Sequence, residues 1–269
     1  MVKKLFKHEF IAYMRALLPM HLILLGVACL TRFVYFFEEE TTIFNIIGTS
    51  SIIALVVASV VCLVMTFFNV ITRFYKNMFT NEGYLSFTLP VTVDQHILVK
   101  VITGCLFIIF SLIFIVVAVL TASAGVLAVE LIKAGVYLLK FLAEQIGSGF
   151  AGYVVEAIIL ALVTVISGIL LFYACIALGQ LSNKNRKIAA IGVYFGYYFV
   201  CQIFGTIMII LFSELQGSPL FTAIVDFTYA HPKATIHIGF WIGIVWTAIL
   251  GLVYYAITRY IMKNKLNLE

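Results

Sequence analysis

The sequence predicts an all-α, polytopic membrane protein that crosses the bilayer six times. Of its 269 residues, 64% are hydrophobic and only 11% are charged, and a soluble domain of this size cannot bury so much apolar surface. Apolar runs long enough to cross a hydrocarbon core of about 30 Å recur six times, without the alternation that barrel strands require. We place the six spans at residues 17–31, 43–71, 97–120, 153–178, 188–212 and 236–258.

The distribution of basic residues predicts the orientation. All but four of the 17 lysines and arginines fall in the N-terminus, the second–third connection, the fourth–fifth connection and the tail. The four exceptions are Arg32, Lys133, Lys140 and Lys233. Because cytoplasmic segments are enriched in Lys and Arg, both termini should be cytoplasmic, as an even number of spans also requires. A composition rich in Ile, Phe and Lys and poor in Pro points to a bacterial plasma membrane.

Residues 1–18 lead into the first span and have an amphipathic pattern. Phe6, Phe10 and Leu17 repeat at helical spacing, while the cations lie mainly on other faces. Such a helix is expected in the inner headgroup layer, with its cations toward anionic lipid. Pro19 suits the first turn of a helix, so we expect a new helix to begin there. The alternative is a simple extension of the first span. With no small-residue cleavage site, this span is expected to remain as a signal anchor.

The connection between the second and third spans, residues 73–96, is expected to lie in the cytoplasm. Asn81 can cap a short helix, because its side-chain oxygen can accept from an orphan backbone N–H. Pro90 ends that helix, since proline lacks the donor and disfavours helical geometry in the residue before it. Thr92 and Gln95 have the spacing of a capping box ahead of the third span. The pattern predicts a short helix, a sharp break and a capped membrane helix.

Two further segments are expected on the outer side. Residues 121–150 contain a polar stripe at helical spacing, which predicts an amphipathic helix that lies in the outer interface or extends the third span. Its members are Glu130, Lys133, Tyr137, Lys140 and Glu144. We interpret the stripe as a solvated face rather than a substrate path. Residues 213–235 are too short to span twice, so we expect a re-entrant or interfacial turn.

The fifth and sixth spans contain small residues that can serve helix packing, and the fifth also contains polar residues that can line a path. Small residues one turn apart let helices approach closely in lipid, and the pattern fits packing within the chain and contact in a dimer equally well. The two G-x-x-x-G pairs are Gly192 with Gly196, and Gly239 with Gly243. Polar side chains on the fifth span can line a path for amphiphilic cargo, although hydrogen bonding between helices is the simpler expectation. They are Tyr194, Tyr197, Tyr198 and Gln202.

Several kinds of chemistry are excluded. The five cysteines lie inside the apolar runs without the spacing of a metal site, so we interpret them as packing residues. No phosphate-binding loop, H-E-x-x-H motif or nucleophile elbow occurs, so we expect no catalytic residue and no cofactor bound by this chain. The net charge is +5, and the basic residues are concentrated in the segments expected on one side of the membrane. This distribution argues against a nucleic-acid partner. No run of intramembrane carboxylates suggests an ion relay.

The stretch N-E-G-Y-L-S-F-T-L-P-V-T, residues 81–92, resembles the cytoplasmic connection of permease subunits of type-2 ATP-binding-cassette (ABC) exporters. That connection reads Glu-Gly-x-Leu, then an apolar turn and Pro-Val-Ser/Thr, before a basic residue near the start of the third span. The matching residues are Glu82, Gly83, Leu85, Pro90, Val91, Thr92 and Lys100. The layout of spans and leader is also similar. One departure is that the distance from Glu82 to Pro90 is shorter than in many members of the family.

The resemblance implies a half-transporter. A second copy or a related permease would complete the path, and two cytoplasmic ABC ATPase subunits, which carry ATP and Mg²⁺, would drive it. The segment 82–89 would be the coupling helix, with Glu82 at the rim of the ATPase groove and an apolar anchor within it. The anchor would comprise Tyr84, Leu85, Phe87 and Leu89, and Gly83, Pro90 and Thr92 would complete the coupling segment.

The cargo implied is hydrophobic or amphipathic: a peptide, a drug or a lipid-linked molecule. Two alternatives stay open at this point. One is an ion-coupled secondary transporter that works without an ATPase, and the other is a non-transporting membrane sensor or assembly subunit.

Overall fold

A computed structural model describes residues 2–37, 42–123, 126–182 and 185–265. Within these ranges the chain is helical and contains no strand, as the sequence predicts. The helices are α1 (Val2–Phe36), α2 (Thr42–Phe79), α3 (Asn81–Phe87), α4 (Val93–Ala122), α5 (Val126–Ile146), α6 (Phe150–Gly179), α7 (Arg186–Glu214), α8 (Pro219–Ala230) and α9 (Pro232–Asn264). A 3₁₀ turn, Gly147–Gly149, joins α5 to α6.

The prediction of six spans is confirmed. Helices α1, α2, α4, α6, α7 and α9 each have the length and apolar character needed to cross a membrane. The longest, α2, has 38 residues and is therefore about 57 Å long at 1.5 Å per residue. That exceeds the hydrocarbon core by more than 20 Å. The chain is an all-α polytopic membrane protein.

The prediction that a new helix begins at Pro19 is wrong. Helix α1 runs without interruption from Val2 to Phe36, so residues 2–18 contribute its first part and do not form a helix of their own. The side chains buried along α1 form one face on both sides of the proline: Glu9, Tyr13, Leu17, His21, Leu24, Ala28 and Thr31. Because that face packs continuously, tertiary contacts offset the backbone hydrogen bond that Pro19 cannot donate.

The structure divides into two units, and each has three of the long helices. The first unit comprises Met1–Met78 with Leu85–Gln145 and contains α1, α2 and α4. Its apolar core lies where Leu24 and Ala28 of α1 meet Leu55 of α2 and Ala118 of α4. At the same end, the Thr31 hydroxyl of α1 donates to the Ser51 carbonyl of α2 over 3.2 Å. Small and polar residues thus hold these three helices together.

The second unit comprises Phe79–Tyr84 with Ile146–Glu269 and contains α6, α7 and α9. Helix α6 packs along both α7 and α9. A close approach occurs at Gly179 of α6, where a Cβ would lie 2.6 Å from the backbone nitrogen of Ala190 in α7. No described residue of α7 is buried, so α7 exposes most of its surface.

The structure defines two connecting segments more closely than the sequence does. Residues 213–235, expected as a re-entrant or interfacial turn, contain α8, which has 12 residues and is capped by the Ser218 hydroxyl accepting from the Phe221 N–H. At about 18 Å, α8 is too short to cross the membrane. In the segment 121–150, α4 ends at Ala122 before α5 begins at Val126, so α5 is a separate helix and not an extension of the third span.

Candidate functional site

The connection between α2 and α4 contains the short helix that the sequence predicts. Helix α3 has seven residues and begins at Asn81 itself. After its end, the Val91 N–H donates to the Leu89 carbonyl over 2.8 Å, which makes a tight turn centred on Pro90. Because proline fixes its own φ, this turn leaves the chain few other conformations between α3 and α4.

The predicted capping box is confirmed. The Gln95 backbone N–H donates to the Thr92 hydroxyl at 3.3 Å, and the Thr92 N–H donates to the Gln95 side-chain oxygen at 3.1 Å. Two backbone donors at the start of α4 are satisfied in this way. The first turn of α4 is therefore fixed close to the end of α3.

Most of the candidate coupling residues are exposed. Tyr84 is 52% exposed, Leu85 73% and Leu89 46%. The remaining members divide in three ways: Glu82, Pro90 and Thr92 are exposed, Phe87 is half-buried and Gly83 is buried. The large apolar side chains of this connection are therefore accessible at the surface of the chain. The boundary between the two units falls within α3, between Tyr84 and Leu85.

A buried cluster of charges in the first unit was missed by the sequence analysis. The Glu9 carboxylate of α1 accepts from the Lys100 ammonium of α4 at 2.6 Å and from the Arg73 guanidinium of α2 at 2.9 Å. The Asn77 amide of α2 donates to the same carboxylate at 3.0 Å. Arg73 also lies over the Tyr13 ring, 4.9 Å from its centroid. We call Glu9, Arg73, Asn77 and Lys100 the Glu9 cluster.

The Glu9 cluster joins the three long helices of the first unit at one level. Glu9 is 6% exposed and Lys100 2%, whereas the Arg73 side chain is 22% exposed. Charges with so little access to water are costly to separate, because each would lose its partner without regaining full hydration. The start of α4 is therefore tied to α1 and α2, two helical turns after the capping box.

From the sequence, Lys100 and Arg73 are expected only as basic residues of the cytoplasmic side, and no local pattern gives Glu9 a role. The available signal was the spacing of Glu9, Tyr13, Leu17 and His21, which repeats every four residues and marks one face of a helix. An acid on that face needs a partner, and Arg73 and Lys100 are the cations at the corresponding ends of the next two spans.

A second polar contact lies deeper between the same three helices. The His21 ring of α1 contacts the Leu17 carbonyl at 2.7 Å through Nδ1 and the Ser111 hydroxyl of α4 at 3.0 Å through Nε2. Ser111 in turn contacts the Thr66 hydroxyl of α2 at 2.8 Å. His21, Ser111 and Thr66 are fully buried. These contacts fix the relative positions of the spans within the first unit, since a buried polar group must find its partner.

The structure divides the four candidate pathway residues between two environments. Tyr194 stacks on Phe172 of α6 with ring centroids 5.2 Å apart, and the Tyr197 hydroxyl bonds to the Tyr254 hydroxyl of α9. Tyr198 and Gln202 are exposed. The contact made by Tyr197 is the hydrogen bond between helices that is the simpler expectation from the sequence.

The two G-x-x-x-G patterns do not mark the close approaches within the second unit. A Cβ at Gly192, Gly196 or Gly239 would meet nothing within 4 Å, and one at Gly243 would lie 3.5 Å from the Leu160 side chain. Packing within the chain therefore does not explain the first three glycines. The close approach between α6 and α7 is instead at Gly179, which has no matching glycine one turn away.

The second unit has its own buried acid, Glu156 of α6. The His237 Nδ1 of α9 lies 2.8 Å from both Glu156 carboxylate oxygens. Tyr153 stacks on the His237 ring with centroids 4.2 Å apart and donates its hydroxyl proton to the Lys233 carbonyl at 3.0 Å. These contacts fasten the beginning of α6 to the beginning of α9.

Among the residues that the structure describes, no group of three His, Cys, Asp or Glu side chains could hold a metal ion. The five cysteines are free thiols, of which Cys62, Cys105 and Cys175 are buried. No protein-family model, curated protein or solved structure matches this chain.

Proposed function

We propose that the chain is the membrane-spanning subunit of an ABC exporter, moved by a separate ATPase that binds α3. The observation that carries this proposal is the exposure of Tyr84, Leu85 and Leu89 around a seven-residue helix between two long spans. Exposed aromatic and leucine side chains of this kind provide the apolar anchor that a protein groove can accept.

The segment that follows α3 supports the proposal, because it can transmit a displacement. The turn at Pro90 and the Thr92–Gln95 capping box restrict the conformations of the chain between α3 and α4. Lys100, two turns further, is bonded to Glu9 of α1, which also binds Arg73 of α2. A force applied to α3 would therefore reach all three spans of the first unit.

On this proposal the ATPase subunits bind and hydrolyse ATP with Mg²⁺, and this chain contributes no catalytic group. ATP binding draws the ATPase pair together, and α3 moves with the ATPase as a rigid body. A second permease, identical or related, completes the path for a hydrophobic or amphipathic cargo. The protein would reside in a bacterial plasma membrane with both termini in the cytoplasm.

Co-purification from native membranes tests the proposal. The tagged chain should retain a protein with ATPase activity, and Leu85→Asp should weaken that association by on the order of 30-fold, as expected for loss of a residue worth about 2 kcal/mol. Leu220 of α8, which is 64% exposed, offers a matched control, because Leu220→Asp makes the same change outside the proposed interface. Equal losses in both variants would refute the role of α3.

The same preparation separates the two alternatives. An ion-coupled transporter would move cargo in vesicles that contain no ATPase, in proportion to an imposed proton or sodium gradient. A sensor or assembly subunit would move no cargo under either condition.

A further inference from the structure

The first two turns of α1 form a groove that the transport proposal does not use. It has a volume of about 590 Å³ and is lined by Lys3, Lys4, Phe6, Lys7 and Phe10. Phe6 and Phe10 stack with centroids 6.2 Å apart, and Phe10 packs on Phe107 of α4 at 5.1 Å. The groove thus has an aromatic floor, supported from below by α4, and a rim of three lysines.

The three lysines have no acidic partner among the residues that the structure describes. All three are exposed, and the first turn of α1 contains no acid. Glu9, the nearest acid in sequence, forms ion pairs with Lys100 and Arg73. Lys3 and Lys7 are four residues apart on one helix face, where like charges repel. The rim therefore has a positive charge that no described acidic side chain compensates.

The level of the groove follows from α4. From Val101 to Ala122 this helix contains no Asp, Glu, Lys, Arg or His, and those 22 residues span about 33 Å, close to the thickness of a hydrocarbon core. Glu9 lies at the beginning of that stretch, because it bonds to Lys100. Lys7 and Lys3 then lie roughly 3 Å and 9 Å beyond the core, at the level of lipid headgroups.

We infer that this groove binds an anionic glycerophospholipid. The upper part of its acyl chains would lie against Phe10 and its glycerol against Phe6, and its phosphate would lie among the ammonium groups of Lys3, Lys4 and Lys7. Lysine stems can cover apolar surface while their charged ends turn toward the headgroup layer. This inference does not depend on the transport proposal, since it concerns only the surface of α1.

Fluorescence quenching in vesicles tests the inference on the full chain. The two native tryptophans, Trp241 and Trp246, lie on α9 and can both be replaced by Phe. Phe6→Trp then introduces the sole tryptophan, so that all tryptophan fluorescence comes from the groove. The probes are acyl-brominated phosphatidylglycerol and acyl-brominated phosphatidylcholine, each titrated into phosphatidylcholine vesicles. Near a surface, each lysine favours an anionic lipid about fivefold, so half-quenching should need up to about 100-fold less phosphatidylglycerol than phosphatidylcholine.

Replacing Lys3, Lys4 and Lys7 together by Gln should abolish this preference while leaving quenching by phosphatidylcholine unchanged. The matched control is Lys133→Gln with Lys140→Gln, which removes two exposed cations from α5 and should leave the preference intact. Salt at about 1 M should reduce it, because the Debye length falls to about 3 Å. Equal quenching by both lipids in the wild-type groove, or equal losses in the two sets of variants, would overturn the inference. Displacement of phosphatidylglycerol by millimolar inorganic phosphate would also overturn it, since the occupant would then be a soluble anion.

Discussion

Glu9→Gln is the substitution that most directly tests the packing of the first unit. Unit charges 2.6 Å and 2.9 Å apart attract by roughly 6 kcal/mol each at an effective dielectric constant of about 20, before desolvation is subtracted. Removing one partner of a buried pair typically costs about 3–5 kcal/mol, because the remaining charge stays buried without its counter-charge. We expect a loss in this range, since Lys100 is only 2% exposed.

The second variant of a double-mutant cycle distinguishes this explanation from a general defect. Lys100→Met alone leaves Glu9 bonded to Arg73 and Asn77, so it should cost about 2 kcal/mol, in the range of one charged hydrogen bond. Glu9→Gln combined with Lys100→Met should return to within about 1 kcal/mol of wild type, because no buried ion pair remains to be broken. Arg73 can then turn its partly exposed head toward water.

The free energy of unfolding can be measured by titrating the purified chain from mild detergent into sodium dodecyl sulfate and following its helical circular dichroism. Reaction of the buried thiols of Cys62, Cys105 and Cys175 with a maleimide gives a second readout of unfolding. Glu144→Gln on the exposed face of α5 is the matched control and should change stability by less than about 0.5 kcal/mol. A loss below about 1 kcal/mol for Glu9→Gln, or costs that simply add in the double variant, would refute the reasoning.

Three further substitutions test other contacts with the same unfolding assay. Thr92→Ala should cost about 1 kcal/mol by removing the capping box of α4, whereas Thr92→Ser should preserve it; equal losses would contradict a role for the hydroxyl. Gly179→Ala should cost about 1–3 kcal/mol, because its Cβ would lie 2.6 Å from the Ala190 nitrogen. Gly192→Ala should be neutral. A larger loss for Gly192→Ala than for Gly179→Ala would show that the G-x-x-x-G pattern of α7 packs within the chain. Tyr197→Phe should cost about 0.6 kcal/mol by removing the hydrogen bond to Tyr254, and Tyr198→Phe should have no effect because that side chain is exposed.

Local features of this chain could be predicted from the sequence. The six spans follow from apolar length, and the capping box of α4 follows from Thr92 and Gln95 three residues apart. The short helix α3 likewise follows from local turn chemistry around Pro90. Each of these features is formed by residues that lie close together in the sequence, so the local backbone conformation determines which atoms come into contact.

Features that depend on distant contacts were not predicted. Glu9 meets Arg73 and Lys100 from 64 and 91 residues away, and no local pattern specifies that meeting. Pro19 stays inside α1 because the face on either side of it is packed, which outweighs the local preference of proline for a helix start. Gly179 is a further example, because its close approach to α7 depends on how two helices pack and not on a local motif. The G-x-x-x-G patterns of α7 and α9 make no approach as close.

Photo-crosslinking from α3 in native membranes tests the central proposal most directly. A benzoylphenylalanine at the position of Leu85 should crosslink to a protein that contains a phosphate-binding loop, and the same group at Leu220 should not. The proposal would be contradicted if the Leu85 position yields no such crosslink in membranes that transport the cargo normally. It would also be contradicted if a cysteine at that position reacts with a membrane-impermeant maleimide added only from the outer side.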